Sequence, residues 1–143
     1  MKGTIIFDLE GTLVDVGGEL LSKVFITEKE LKQLATGYKL SVVTGATRGQ
    51  LEYVLNTTFL GLYFDMYNTV SKDECSEAKA GGKPFKLLLD KEFPTPVVII
   101  GDSDGDRLGA KALGVAFVRV NTAQLMHGES FSLYLEQAIE HLS

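Results

Sequence analysis

The chain has one cysteine, Cys75, in 143 residues. That excludes an intrachain disulfide and a cysteine-built zinc site, and its polar surroundings favour a plain thiol over a nucleophile. Tryptophan is absent and there are only three prolines. No apolar run approaches the ~18 residues of a membrane span, and Asp8 interrupts anything resembling a signal peptide. Basic residues are also in deficit. With 14 Lys and Arg against 19 Asp and Glu, the net charge is -5, whereas a nucleic-acid surface needs clustered cations. These absences lead to an expectation of a cytoplasmic protein with no membrane and no nucleic-acid partner. At this length a single domain over 1–143 is expected, able to bury roughly 70% of its unfolded surface.

What is present alternates between strand and helix signals. Thr4–Phe7 is a short apolar run that ends in Asp8. Residues Leu13 to Leu21 read as a hairpin with Gly17-Gly18 at its turn. Thr27 and Glu30 have capping-box spacing ahead of Leu31, Leu34 and Ala35, and Thr47 and Gln50 repeat it ahead of Leu51, Val54 and Leu55. Leu40–Val43 and Val97–Ile100 are uninterrupted apolar strands, Leu62–Tyr67 a third strand, and Val115–Val120 the last. Ser71–Gly82 reads as loop, Phe85–Phe93 and Arg107–Leu113 as helices, and Phe131 to Leu142 as an amphipathic C-terminal helix. Continuous apolar strands fit a parallel sheet covered on both faces. The expected fold is α/β, a three-layer, doubly wound, Rossmann-like five-stranded parallel sheet with a small β-hairpin flap.

Chemistry gathers where these strands end. Asp8-Leu9-Glu10-Gly11-Thr12 follows the first strand, Thr44-Gly45 the second, and Gly101-Asp102-Ser103-Asp104-Gly105-Asp106 the fourth. Lys83-Pro84 opens the helix between them. A carboxylate at such an edge can act as a nucleophile while its neighbour handles protons. Asp8 and Asp102 offer hard oxygen ligands suited to Mg²⁺. Thr44 offers a hydroxyl, Gly45 an open backbone N–H, and Lys83 a positive charge.

In this order the four segments resemble the haloacid-dehalogenase-like superfamily, with its D-x-D-G-T, Thr or Ser, Lys and G-D-x-x-x-D motifs. The resemblance covers residues 4 to 120. It implies a Mg²⁺-dependent phosphatase in which Asp8 attacks phosphorus to form an aspartyl-phosphate, and Glu10 protonates the leaving alcohol and then activates water. It also implies that Asp8, the Glu10 backbone carbonyl, Asp102 and Asp106 hold the metal. Leu9, Glu10, Thr44, Gly45 and Lys83 would then hold the phosphate. Glu10 departs from the usual Asp, and D-x-E-G-T is similar to the enolase-phosphatases of the same superfamily. Neither gap between motifs has room for a cap domain, so the chain looks like a capless member. The resemblance implies as partner a small phosphorylated metabolite or a larger phosphorylated substrate, the site being covered either by a large substrate itself or by a neighbouring subunit of a homo-oligomer.

Two other readings remain at this point. A non-catalytic phospho-ligand-binding subunit requires Glu10 to be disabling. A phospho-receiver domain requires an Asp after the third strand and a Lys after the fifth, and nothing after Val120 supplies that Lys. Arg48 is either a substrate contact or a solvated residue at a helix start. Asp104 reads as a cap or loop anion, and Asp15 and Glu19 as hairpin charges.

Overall fold

The computed structural model describes residues 1–17 and 20–143. Five strands form one parallel sheet: β1 (Thr4–Phe7), β4 (Lys39–Val43), β5 (Thr69–Val70), β6 (Val97–Gly101) and β7 (Ala116–Arg119), in the order β5-β4-β1-β6-β7. β2 (Val14–Gly17) and β3 (Leu20–Val24) make a separate antiparallel hairpin. The expected Gly17-Gly18 turn reaches into residues 18 and 19, which lie outside the described residues, as does Glu19.

Helix α1 (Glu28–Ala35) precedes β4, and α2 (Arg48–Thr57) follows it. α3 (Lys83–Leu89) precedes β6, α4 (Asp104–Leu113) follows it, and α5 (Thr122–Met126) and α6 (Ser132–Leu142) close the chain. Both predicted capping boxes form, with Thr27 and Glu30 starting α1 and Thr47 and Gln50 starting α2. Each satisfies backbone donors that a helix start leaves without partners.

The alternation of side chains along each strand builds two cores. Ile5, Phe7, Val42, Val98 and Ile100 pack against α1, α2 and α6 on one face. Ile6, Val43, Ile99 and Val97 pack with Phe85 and Leu88 of α3 and Ala110 of α4 on the other. Burial on both faces explains why these strands read as continuous apolar runs.

The chain winds outward from β1 through β4 to β5, then crosses back to β6 and β7. The winding direction therefore reverses between β1 and β6, which pair in register from Thr4 with Val97 to Phe7 with Ile100. In open α/β sheets, ligands bind at the carboxyl ends of the strands flanking such a reversal. Asp8 and Asp102 are the residues that leave those two ends.

The third strand is a correction. Leu62–Tyr67 is not a strand: 3-10 turns cover Phe59–Leu62 and Met66–Asn68, and the strand is the two-residue β5 at Thr69–Val70. Thr58 and Asp65 cap these turns with their side chains, bonding Leu60 N–H and Tyr67 N–H. These local bonds outweigh the apolar signal of Leu62 and Phe64. Among the described residues, only the hairpin and α1 lie between β1 and β4, and only α2 and the two turns between β4 and β5.

Candidate active site

Phe7 fixes the end of β1. It is fully buried, meets Phe64 edge-on at 5.7 Å between ring centroids, and lies 6.3 Å from Phe131. Burial of this size is worth about 1.5–3 kcal/mol, enough to hold the next residue in place. Asp8 follows, its N–H donating to the Ile100 carbonyl at 2.9 Å. The chain then turns sharply, and the Leu9 carbonyl accepts from the N–H groups of Thr12, Leu13 and Val14. Gly11 makes the turn possible in two ways. Its φ is 79°, and a Cβ there would stand 2.4 Å from Asp102 Oδ2.

Lys79 occupies the centre of the site. Its Nζ donates to Asp8 Oδ1 at 2.8 Å and to Asp106 Oδ1 at 2.8 Å. Asp8 Oδ1 also accepts the Leu9 N–H at 2.7 Å. Asp106 is wholly buried, and its second oxygen accepts the Ser103 hydroxyl at 2.8 Å. Ser103 is at the same time the N-cap of α4, taking the Asp106 N–H. Gly101 leaves the space this needs, since a Cβ there would lie 2.4 Å from Asp106 Oδ2.

Burial pushes the Asp8 carboxyl up to about 7, with Lys79 pulling the other way and Asp106 adding repulsion. For Lys79, burial favours the neutral amine, but the Asp8 and Asp106 carboxylates more than offset it and raise its pKa above the ordinary lysine value. Asp8, Asp102 and Asp106 each bring one carboxylate oxygen within 4.8 Å of the others. Three hard oxygen donors this close together fit a small divalent cation such as Mg²⁺, which binds through carboxylates and keeps several waters.

Thr44 leaves the end of β4, 5% exposed, with its hydroxyl oxygen accepting the Ala46 N–H at 3.0 Å. Gly45 is exposed beside it and meets nothing within 4 Å of where a Cβ would stand. Glu10 is exposed on the turn after Asp8, bridged through its backbone to Val14.

The structure does not bring Lys83 to this cluster, contrary to the sequence expectation. Lys83 is the first residue of α3, about two-thirds exposed, and its Nζ pairs with Glu77 at 2.6 Å. Lys79, four residues earlier, sits on the 3-10 turn Lys79–Gly81 inside the stretch read as loop. Gly82, at φ 83°, turns the chain from there into α3. The turn packs so tightly on α4 that a Cβ at Gly109 would stand 2.4 Å from the Lys79 carbonyl oxygen. The available signal was the Gly81-Gly82 pair, which allows a reversal two residues after Lys79 and just before Lys83. Lys83-Pro84 instead has the form of an ordinary helix start.

Arg48 is neither free nor at the cluster. It pairs with Glu74 and donates to Thr69 Oγ1 at 2.7 Å, tying α2 to β5. Burial alone would raise the Glu74 pKa, but Arg48 and the Ser71 bonds hold it below the ordinary carboxylate range. Asp104 begins α4 and pairs with Arg119 and Arg107.

Residues 19–120 match the model of the haloacid dehalogenase-like hydrolases. The chain belongs to this family. The match covers most of the sequence and includes the ends of β4 and β6. Over 101 residues the chain is 31% identical to pyrophosphatase PpaX of Bacillus velezensis, covering 66% of this chain and 45% of that protein. It therefore spans less than half the length of that relative. The PpaX of Bacillus mycoides is likewise 31% identical over 101 residues, covering 68% of this chain and 45% of that protein.

Solved structures repeat the fold. A HAD family enzyme from Bacteroides thetaiotaomicron, in a magnesium complex, superposes with a TM-score of 0.69 at 14% identity, covering 93% of this chain and 98% of that one. A HAD-superfamily hydrolase of subfamily IA from Geobacter sulfurreducens gives 0.67 at 17% identity, covering 82% and 86%. Among the described residues, no helix is long and apolar enough to cross a membrane.

Proposed function

We propose that this protein is a Mg²⁺-dependent phosphatase that transfers the phosphoryl group of a monoester or pyrophosphate to Asp8 and then to water. The observation that carries this reading is the buried Lys79 ammonium, 2.8 Å from one oxygen of Asp8, with a carboxylate oxygen of Asp102 and of Asp106 within 4.8 Å of one of Asp8. That arrangement supplies a nucleophile at the reversal point of the sheet, with a cation beside it that favours its ionised form against burial.

The chemical difficulty is charge, because an anionic nucleophile must approach an anionic phosphorus. Catalysis of phosphoryl transfer is mostly positioning and electrostatic stabilisation. Asp8, Asp102 and Asp106 would hold the Mg²⁺, and the ion's contribution when bound is to neutralise charge on the phosphoryl oxygens. Lys79 takes the role that the sequence gives to Lys83, drawing the Asp8 pKa down against burial and balancing charge as the phosphoryl group transfers. The Thr44 hydroxyl, the Gly45 N–H and the backbone of Leu9 and Glu10 would bind phosphoryl oxygens. The Asp8 carboxylate attacks phosphorus, and the P–O bond to the leaving group breaks as Glu10 delivers a proton to the departing oxygen. Glu10, now ionised, takes a proton from water, which attacks the aspartyl-phosphate and releases inorganic phosphate and free Asp8.

The test is hydrolysis of p-nitrophenyl phosphate and of pyrophosphate, each with Mg²⁺ and with EDTA. Pyrophosphate is included because the relatives at 31% identity are named pyrophosphatases. Turnover that needs Mg²⁺ and disappears in Asp8→Asn supports the reading. Activity in Asp8→Asn within about tenfold of wild type would remove Asp8 as nucleophile, since covalent catalysis cannot survive loss of its nucleophile.

A further inference from the structure

Thr122 lies far from every motif in the sequence, yet it reaches the two acid-bearing strand ends from the side. It opens α5, after the N-cap Asn121. Its hydroxyl donates to the Gly11 carbonyl at 2.6 Å, and the same oxygen lies 3.4 Å from Asp102 Oδ2. A hydroxyl carries one proton, so the short bond to Gly11 takes it. Gly11 in turn lies against Asp102, where no Cβ could fit. On the other side of that carboxylate, the Thr12 hydroxyl stands 3.4 Å from Oδ1.

The segment carrying Thr122 is itself anchored. Val120 N–H donates to the Gly101 carbonyl at 2.9 Å. Asn121 N–H donates to the Tyr134 hydroxyl at 3.0 Å, and that hydroxyl donates to Glu129 at 2.7 Å. Tyr134 belongs to the buried face of α6. The hydroxyl of Thr122 therefore projects from a fixed frame onto the one turn that must stay flush against Asp102.

We propose that Thr122 is a positioning residue for the Mg²⁺ site, holding the Gly11 turn so that Asp8 and Asp102 keep the separation a shared ion requires. The proposal rests on the reading of this cluster as a Mg²⁺ site, and it acts through the Gly11 carbonyl rather than by contact with the ion or substrate. Partners one step removed from metal ligands orient them, and their loss typically costs about 10–100-fold in metal affinity.

The test is calorimetric Mg²⁺ titration of the full chain without substrate, for wild type, Thr122→Val and Thr122→Ser. Valine keeps the shape and removes the hydroxyl, and serine keeps the hydroxyl and removes the methyl group. The expected result is about tenfold weaker Mg²⁺ binding in Thr122→Val, at the lower end of that range, with affinity restored in Thr122→Ser. Should the valine variant not fold by circular dichroism, Thr122→Ala removes the same hydroxyl and is read the same way. Wild-type affinity in the hydroxyl-free variant would overturn the proposal. So would equal loss in Thr122→Ser, which would locate the effect in methyl packing, or a wild-type protein that binds no Mg²⁺. A wild type that binds Mg²⁺ but hydrolyses neither phosphate substrate would overturn the phosphatase reading alone.

Discussion

The ammonium of Lys79 stands 2.8 Å from Asp8 Oδ1 across 71 residues of chain. The same nitrogen bonds the buried Asp106, so one lysine bridges the acid after β1 and an acid in the first turn of α4. A pair removed from water in this way costs several kcal/mol per ion in desolvation, which is recovered only through good geometry and further hydrogen bonds. Here Leu9 N–H and the Ser103 hydroxyl supply those bonds.

The two lysines separate cleanly by experiment. Lys79→Met is expected to lower kcat by at least ~10²-fold, the typical loss when a preorganised charge-stabilising group is removed. Lys83→Met removes an exposed ion pair with Glu77 and is expected to stay within about twofold, since such pairs contribute little. Steady-state hydrolysis of p-nitrophenyl phosphate measures both. The reverse ranking would return the role to Lys83.

Metal binding should be linked to protons. Burial lifts the Asp8 pKa from 3.8 to about 7 in the metal-free protein, so the folded state holds a proton there that the unfolded chain releases. For an acid raised in this way, the metal-free fold is favoured at low pH and loses stability as pH rises from about 4 to about 7. The raised pKa of Lys79 acts in another window, its contribution being lost only at alkaline pH above the ordinary lysine value. Mg²⁺ must displace the Asp8 proton. Apparent Mg²⁺ affinity is therefore expected to climb with pH, by up to about tenfold per unit for one proton, and to level off above about 7. Titration calorimetry in buffers of different ionisation enthalpy reads the released proton directly. A flat affinity between pH 5.5 and 7 would contradict the linkage.

Glu10 has a kinetic signature. Nitrophenolate leaves without much protonation, whereas water attacking the aspartyl-phosphate still needs a base. Glu10→Gln is thus expected to give a burst of nitrophenol followed by turnover slowed about 10²–10⁴-fold, the usual worth of general acid–base catalysis. Rapid mixing resolves the two phases. Wild-type turnover in this variant would reduce Glu10 to a structural carboxylate.

Gly101 should prove irreplaceable for packing reasons. A methyl group there meets Asp106 Oδ2 at 2.4 Å and its Cγ at 2.5 Å, and Asp106 is wholly buried. Gly101→Ala is expected to destabilise the fold by about 1–3 kcal/mol, the usual cost of overpacking a core, and to weaken Mg²⁺ binding with it. Thermal denaturation with and without Mg²⁺ measures both effects, and an unchanged midpoint would mean that Asp106 moves freely.

The sequence by itself determined what local chemistry can encode. Thr4–Phe7, Leu40–Val43 and Val97–Ile100 read as buried parallel strands because they are apolar on both faces. The capping boxes of α1 and α2 are legible because four residues suffice to satisfy a helix start. Asp8 and Asp102 stood out because acids directly after apolar strands belong to one edge of a sheet, and Asp106 because the resemblance to the haloacid-dehalogenase-like superfamily places an acid there. Tertiary structure alone decided which lysine joins them. Lys79 and Lys83 carry the same charge four residues apart, and the choice depends on how closely the 3-10 turn at Lys79 can approach α4, where Gly109 offers no side chain. The same holds for Thr122, whose partner Gly11 lies 111 residues away. It holds too for β5, where caps at Thr58 and Asp65 displaced the strand toward Thr69. Contacts of this kind depend on fit between distant segments, and no local pattern records that fit.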